Sequence, residues 1–321
     1  MSDPRNEFLE KVNFNQVEVR EYPRIAFLCG GSPVVLIDTS NNQYHPSVRS
    51  YISKSLTARF SNLRFQNAED VKEWNSYSVY DDLIEFERDI AHICKVIVLF
   101  VESAGSIAEL GSFAIIPEIT EKLIVFVHQE YSHSTSFVAL GPLKKINVED
   151  KENVHYIKWE MEPKSINGKR TQILIEGSMS SWEQYTCEAI KTALDAKSRT
   201  DHLSEEYART KEALFIHDIV GLFKAITENE IIGYFKLAKH DIDKKKIQRS
   251  IFCLVKLDLI RSVNKGNKVF YVLVADHTKR YLTLTGSGDS LRLAVQLDEH
   301  YKHSSQLARR EAIDELVRGS Q

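Results

Sequence analysis

The period of the hydrophobic positions changes along this chain, and each change marks an element. Residues 24–29, 96–101 and 122–127 are apolar runs of strand length, the pattern of strands buried on both faces. Between the first two runs, residues 47–60 place Val48, Tyr51, Ile52, Leu56 and Phe60 at helical spacing. Residues 81–94 repeat that spacing with Leu83, Ile84, Phe86, Ile90 and Ile93. A weaker strand signal, Leu63-Arg64-Phe65, follows the first of these helices. Strands alternating with helices predict an α/β fold, a Rossmann-like parallel sheet with helices on both faces. Residues 1–23 read as polar and peripheral.

The pattern weakens after residue 128. Residues 155–159 and 172–175 read as late strands, with a turn signal at Ile166-Asn167-Gly168-Lys169. Residues 182–197 read as a helix, and the polar run 198–206 reads as a linker. A different module follows. One apolar-striped helix (Leu214, Ile216, Ile219, Val220, Phe223, Ile226) precedes a shorter one at 230–237 and a third that begins after His240-Asp241 and runs through Ile247, Ile251, Leu254 and Val255 to Leu259. Residues 260–272 then read as a hairpin with a Gly266-containing turn. Three helices closed by a hairpin predict a winged helix-turn-helix. The expected division is an α/β domain over 1–205 and a winged-helix domain with a helical tail over 206–321.

Composition adds bounds. The chain has 321 residues, 43% of them hydrophobic and 27% charged, ordinary for a globular protein. No apolar run approaches the roughly 18–20 residues of a membrane span, and the first residues lack a secretion-signal pattern; a cytoplasmic protein is expected. Cys29, Cys94, Cys187 and Cys253 are far apart and form no C-x-x-C pair, so buried reduced thiols are expected. His128 and His133 have no third ligand at metal spacing, and neither a metal nor a cofactor is implied. A net charge of −3 argues against a wholesale nucleic-acid binder but permits a local basic patch. Between Lys239 and Lys268 nine Lys or Arg stand against three Asp. Lys244, Lys245, Lys246 and Arg249 fall at the start of the third helix, and Lys265 and Lys268 fall on the hairpin. That arrangement suits phosphate contacts on both sides of a groove and equally suits docking to a protein.

The sharpest candidate chemistry lies after the second strand. Its run breaks at Ser103-Ala104-Gly105-Ser106, and a helical pattern then begins with Glu109 expected in its first turn. A carboxylate there sits where open α/β sheets bind ligands. Ser106-x-x-Glu109 also reads as a capping box, and a carboxylate tied back to the Ser106 N–H is a poor nucleophile. Gly30, Gly31 and Ser32 end the first strand and can either cradle a phosphate with backbone N–H groups or form a plain tight turn. Glu87 lies on the helix before the second strand, where an acid is usually a solvated one.

Phe27-Leu28-Cys29-Gly30-Gly31, taken with the stretch from Val98 through Glu109-Leu110-Gly111 to Phe113, resembles the N-terminal domain of bacterial retron effectors. These are similar to nucleoside 2-deoxyribosyltransferases, whose active-site motif also ends in Glu-Leu-Gly. The resemblance covers most of residues 20–145 and implies several roles. Glu109 corresponds to the glutamate that attacks the sugar anomeric carbon, and Gly30 and Gly31 to the ligand-contacting first loop. Ser103, Gly105 and Ser106 correspond to the loop that holds the sugar or its 5′-phosphate, and Glu87 to acids on the preceding helix. Glu102-Ser103-Ala104 departs from the Asp-Ser of the transferases. The resemblance further implies an anti-phage toxin that cleaves an N-glycosidic bond of a nucleotide, NAD or a DNA base. A retron reverse transcriptase with its branched RNA–DNA product would inhibit it, and a homo-oligomer is implied. The rival reading is a non-catalytic, nucleotide-sensing DNA-binding regulator.

Overall fold

A computed structural model describes residues 3–70, 79–147, 153–178, 180–195, 208–274, 279–285 and 289–318. Along the chain it contains α1 (Pro4–Leu9), β1 (Ile25–Cys29), α2 (Val48–Arg59), β2 (Arg64–Asn67), α3 (Leu83–Ile93), β3 (Val96–Val101), α4 (Ala104–Ala114), β4 (Leu123–His128) and β5 (Val154–Ile157). The hairpin β6 (Met161–Ile166) and β7 (Lys169–Leu174) and the helix α5 (Ser180–Asp195) follow. Then come α6 (Ala208–Phe223), α7 (Glu228–Leu237), α8 (Lys244–Lys256), β8 (Ile260–Lys265), β9 (Lys268–Leu273), α9 (Ser290–Tyr301) and α10 (Leu307–Arg318). They form two compact units, one of residues 23–72 and 94–198, the other of residues 1–22, 73–93 and 199–321.

The first unit is built on a five-stranded parallel sheet in the order β2-β1-β3-β4-β5. Both sets of alternate residues on β1, β3 and most of β4 are buried, which requires cover on both faces. On one face Ala26, Leu28, Val98, Phe100 and Phe126 form a single core with Val48, Ile52 and Leu56 of α2 and Cys187 and Ile190 of α5. At about 25 cal/mol per Å² of buried apolar surface, such clusters carry most of the folding free energy. The sheet and its flanking helices match the α/β expectation. The late region differs in one respect. Residues 161–166 also form a strand, pairing antiparallel with β7 across Asn167-Gly168, both in the left-handed region at φ 50° and 79°, as a tight hairpin turn needs.

In the second unit α6 is buried nearly all round and forms the centre. The expected helix–helix–helix–hairpin succession is present as α6, α7, α8 and β8–β9. The N-terminal segment is not peripheral. Phe8, Leu9, Val12, Phe14 and Val17 are buried, and Phe14 lies edge-on to Phe215 of α6 with ring centroids 5.5 Å apart. Apolar residues at mixed spacing among polar ones carry no clear period, so sequence patterning misses them. α3 also belongs to this unit, its Phe86 packing against Tyr80 and Phe252. The expected linker at 198–206 lies outside the described residues. All four cysteines are buried and unbridged. Among the described residues no helix is long and apolar enough to cross a membrane.

Candidate active site

The carboxyl ends of β1 and β3 lie side by side, and both chains turn there under close packing. Gly30 adopts φ +147°, and a Cβ on it would stand 3.1 Å from the Phe100 carbonyl oxygen. A Cβ on Gly31 would stand 2.8 Å from the Ser47 Cβ and 3.0 Å from the Glu102 carboxylate. Only glycine lets this loop press so near β3.

What it presses against is Glu102, immediately after β3. One oxygen of its carboxylate accepts the Gly31 N–H at 2.9 Å and the Arg49 N–H at 3.1 Å, and the other accepts the Val48 N–H at 2.5 Å. Burial raises the Glu102 carboxyl, while the three backbone donors and the Arg49 charge pull the other way. The N-terminus of α2 thus holds an anion supplied by the protein itself. The Gly31 N–H assigned to a phosphate by the sequence pattern is already engaged. Ser32 is exposed, and its carbonyl accepts the Ser47 hydroxyl at 2.6 Å.

Arg49, in the first turn of α2, is 1% exposed. Its guanidinium donates to the carbonyls of Gly31 (2.6 Å) and Leu28 (3.0 Å) and pairs with Glu69 beyond β2. Neither Arg49, Glu69 nor the anchoring role of Glu102 is apparent from sequence spacing. The one available signal is that Arg49 opens a helix beside a strand's carboxyl end.

α4 begins earlier than its apolar pattern suggests. Ser103 is its N-cap and accepts the Ser106 N–H at 3.1 Å; the buried Ser106 hydroxyl returns the bond, accepting the Ser103 N–H at 2.9 Å. This Ser103–Ser106 pair replaces the expected Ser106–Glu109 box, because a serine at the third helical position satisfies the same donor. Glu109 therefore falls in the second turn, not the first, and is not tied back to Ser106. Gly105 is exposed in the first turn, where a Cβ would meet the Ser103 Oγ at 3.8 Å, an ordinary contact, and the first N–H groups of the helix point out of its end.

Glu109 is half-buried, and its Oε2 is fully enclosed with no hydrogen-bond partner. Burial pushes its carboxyl up to about 7; Arg49 opposes this shift and Glu69 adds to it. A carboxyl with an unsatisfied oxygen, ionising near neutrality beside a guanidinium, can act as a nucleophile, stabilise a cationic centre or transfer a proton. Gly30, Gly31, Ser103, Ser106 and Glu109 thus share one edge of this sheet. Glu87 belongs to the other unit, where it is buried on α3.

The basic residues of the second unit divide into two groups. Arg249 pairs with Glu85 (2.5 Å) and Asp81 (3.4 Å), Lys245 with Asp81 (2.6 Å), Lys244 with Glu228 (3.6 Å) and Lys265 with Glu315 (2.6 Å). Lys246 and Lys268 are exposed and make no ion pair among the described residues. Basic residues look alike in sequence; the acids that neutralise Lys245 and Arg249 come from α3 and its approach, over 160 positions away.

Comparison with known proteins places the chain in a class. The family described as STM3845 retron effector protein matches residues 45–262, about two-thirds of the chain, and the chain belongs to that family. It is similar to a candidate ribosyltransferase/DNA-binding protein of retron Ec73 from Escherichia coli, 24% identical over 80% of each chain. It is also similar to the corresponding protein of retron Ec86 from Escherichia coli, 33% identical over 119 residues, 37% of this chain and 36% of that one.

Proposed function

We propose that this retron effector is a toxin that cleaves an N-glycosidic bond of a nucleotide, NAD or a DNA base, with Glu109 as the group that meets the anomeric carbon. The observation that carries the reading is the enclosed, unpartnered Glu109 Oε2 at the carboxyl edge of a parallel sheet, where such folds take ligands. An oxygen left unsatisfied in a native fold calls for a partner, and an electron-poor sugar carbon is one.

As the C1′–N bond breaks, its electron pair leaves with the base and positive charge grows on the ring. Ionised Glu109 stabilises that charge and captures C1′ as a glycosyl ester. Water then hydrolyses the ester, releasing the sugar and restoring the carboxylate, while the departing base takes a proton. A carboxyl raised toward 7 is more basic, and so more nucleophilic when ionised, than an ordinary glutamate. The first-turn N–H groups of α4 at Ala104 and Gly105 suit a substrate phosphate. The names of the Escherichia coli relatives fit chemistry at a ribosyl carbon.

In this reading α6–α8 with β8–β9 act as a winged helix. Exposed Lys246 and Lys268 face nucleic acid or the retron reverse transcriptase with its RNA–DNA product, which restrains the effector in the cytoplasm. A homo-oligomer is part of the same proposal. The test is chromatographic detection of free base or nicotinamide after incubating the protein with dNTPs, NAD and single-stranded DNA, with Glu109→Gln alongside. Release by wild type alone is expected. Release by both forms sinks the role of Glu109, and release by neither, with the inhibitory partner removed, favours a nucleotide-sensing regulator.

A further inference from the structure

We infer that the α/β unit carries a second ligand site, a cleft for a nucleotide-sized organic phosphate at the edge of the sheet opposite Glu109. The cleft encloses about 530 Å³, within the roughly 300–1,000 Å³ of small-molecule sites. It opens where β1, β2 and β3 begin, between the last turn of α2 and the second half of α5.

Four cations line it: Arg24, Arg59, Lys95 and Lys191. None makes an ion pair or a side-chain hydrogen bond among the described residues. Arg59 feels the Glu183 carboxylate, but that carboxylate is occupied by the hydroxyls of Tyr51 (2.9 Å) and Ser55 (2.5 Å). Four arginines outside the cleft, Arg49, Arg209, Arg249 and Arg309, are by contrast paired with acids. A helix end accounts for part of this charge, since Arg59 lies in the last turn of α2 and complements its carbonyl terminus. Arg24 and Lys95 have no such explanation. Each immediately precedes a strand, β1 and β3, and those two strands are direct neighbours in the sheet.

The rest of the lining defines the class of ligand. Phe60, Leu63 and Leu194 provide an apolar wall suited to a base, and guanidinium groups match phosphate oxygens in a fork geometry. Glu188 and Asp195 also border the cleft. Carboxylates accept hydrogen bonds from sugar hydroxyls and repel a continuous phosphodiester backbone, so the mixture favours a single nucleotide over a strand of nucleic acid. The inference stands apart from the role proposed for Glu109, because it rests on other residues at the other edge.

Calorimetric titration of the full-length Glu109→Gln protein tests it, which removes turnover at the first site. The probes are ATP, dATP, GTP and NAD, with inorganic phosphate and a single-stranded DNA dodecamer as comparators. At least one nucleotide should bind, and Arg24→Glu with Lys95→Glu should weaken it by about tenfold or more, as expected for lost charge-assisted hydrogen bonds. Arg24→Gln with Lys95→Gln, a milder pair, guards against misfolding; its unliganded melting temperature should match the parent. No nucleotide binding, or binding indifferent to both pairs, overturns the site. Binding of the dodecamer alone overturns the assignment to a nucleotide.

Discussion

The Glu102 carboxylate accepts the Gly31 N–H at 2.9 Å across 71 positions of sequence. With its bonds to Val48 and Arg49 it fastens the ends of β1 and β3 to the start of α2. Glu102→Ala leaves three enclosed N–H groups without an acceptor, at about 1–3 kcal/mol for each group that water cannot reach. The expected loss is about 2–4 kcal/mol, read from the midpoint of urea unfolding. Glu102→Gln keeps one acceptor oxygen and should lose less. Equal stability of the alanine variant and the wild type would mean that the carboxylate anchors nothing.

Glu109 sets function against stability. Its carboxyl, pushed from 4.5 to about 7 by burial, holds a proton more tightly in the folded than in the unfolded chain. Unfolded chains release that proton near pH 4.5, so stability falls as pH rises from there to about 7, and the penalty is complete above it. Glu109→Gln removes the penalty. The variant should lose glycosidic cleavage yet be more stable than wild type at pH 8 by about 1–3 kcal/mol, with little difference at pH 4. Wild-type activity, needing the ionised form, should rise as pH passes through about 7. A pH-independent stability difference would remove the buried carboxyl as its cause.

Arg49 connects these two acids. It is the opposite charge that restrains the rise of Glu109, and its fork holds the Leu28 and Gly31 carbonyls. Arg49→Met should shift the activity profile to higher pH, because Glu109 then ionises with less help. Freeing two carbonyls and Glu69 should also cost about 2–4 kcal/mol of stability. An unchanged pH midpoint with lowered stability would assign Arg49 a purely structural part.

Periodicity of the strands and of α2, α3, α6 and α8 is enough to locate them, because each buries a continuous stripe and so must repeat its apolar residues at a fixed interval. The edge of the sheet that carries Glu109 is legible for the same reason. What surrounds Glu109 is not. Arg49 is an arginine in the first turn of an ordinary amphipathic helix, and only the folded chain brings two strand-end carbonyls within its reach. The Ser103–Ser106 box was hidden by the more familiar Ser-x-x-Glu spacing three residues later. Lys245 and Arg249 look free in sequence for a similar reason, since Asp81 and Glu85 meet them only in the folded unit.

That division among the lysines leads to a binding prediction for the proposed winged helix. Lys246 and Lys268 are available for phosphates, whereas Lys245 and Lys265 must first give up an acid. Charge reversal at Lys246 and Lys268 should weaken nucleic-acid binding uniformly across sequences and reduce the salt slope by about two, without altering the melting temperature. The single reversal Lys245→Glu should instead lower stability, by placing like charges against Asp81. If complex formation with the reverse transcriptase is lost while naked-DNA affinity is untouched, the surface docks protein.

Glu230 holds the second unit together at its N-terminal segment. One of its oxygens accepts the Thr227 N–H at 2.9 Å in the capping box of α7, and the other meets the guanidinium groups of Arg5 (2.8 Å) and Arg309. Both arginines are nearly inaccessible, 4% and 6% exposed. Arg309 lies 5.6 Å from the Tyr301 ring, and Arg5 lies 5.9 Å from the same ring. Burial alone would raise Glu230, but the two guanidinium charges, with the hydrogen bonds from Arg309 and the Thr227 N–H, hold it below its usual value. Removing the acid leaves enclosed Arg309 without its carboxylate and Arg5 with Asp3 alone, so Glu230→Ala should cost about 2–4 kcal/mol, discounted for the partial exposure of the carboxylate. A carboxyl depressed by folding contributes its stabilisation above about pH 4.5 and loses it as pH falls through the lower folded value. Glu230→Gln keeps the acceptor for Thr227 but lacks the charge, and should therefore flatten the acid limb of a stability-versus-pH curve. An acid limb as steep in Glu230→Gln as in wild type would show that other carboxylates carry it.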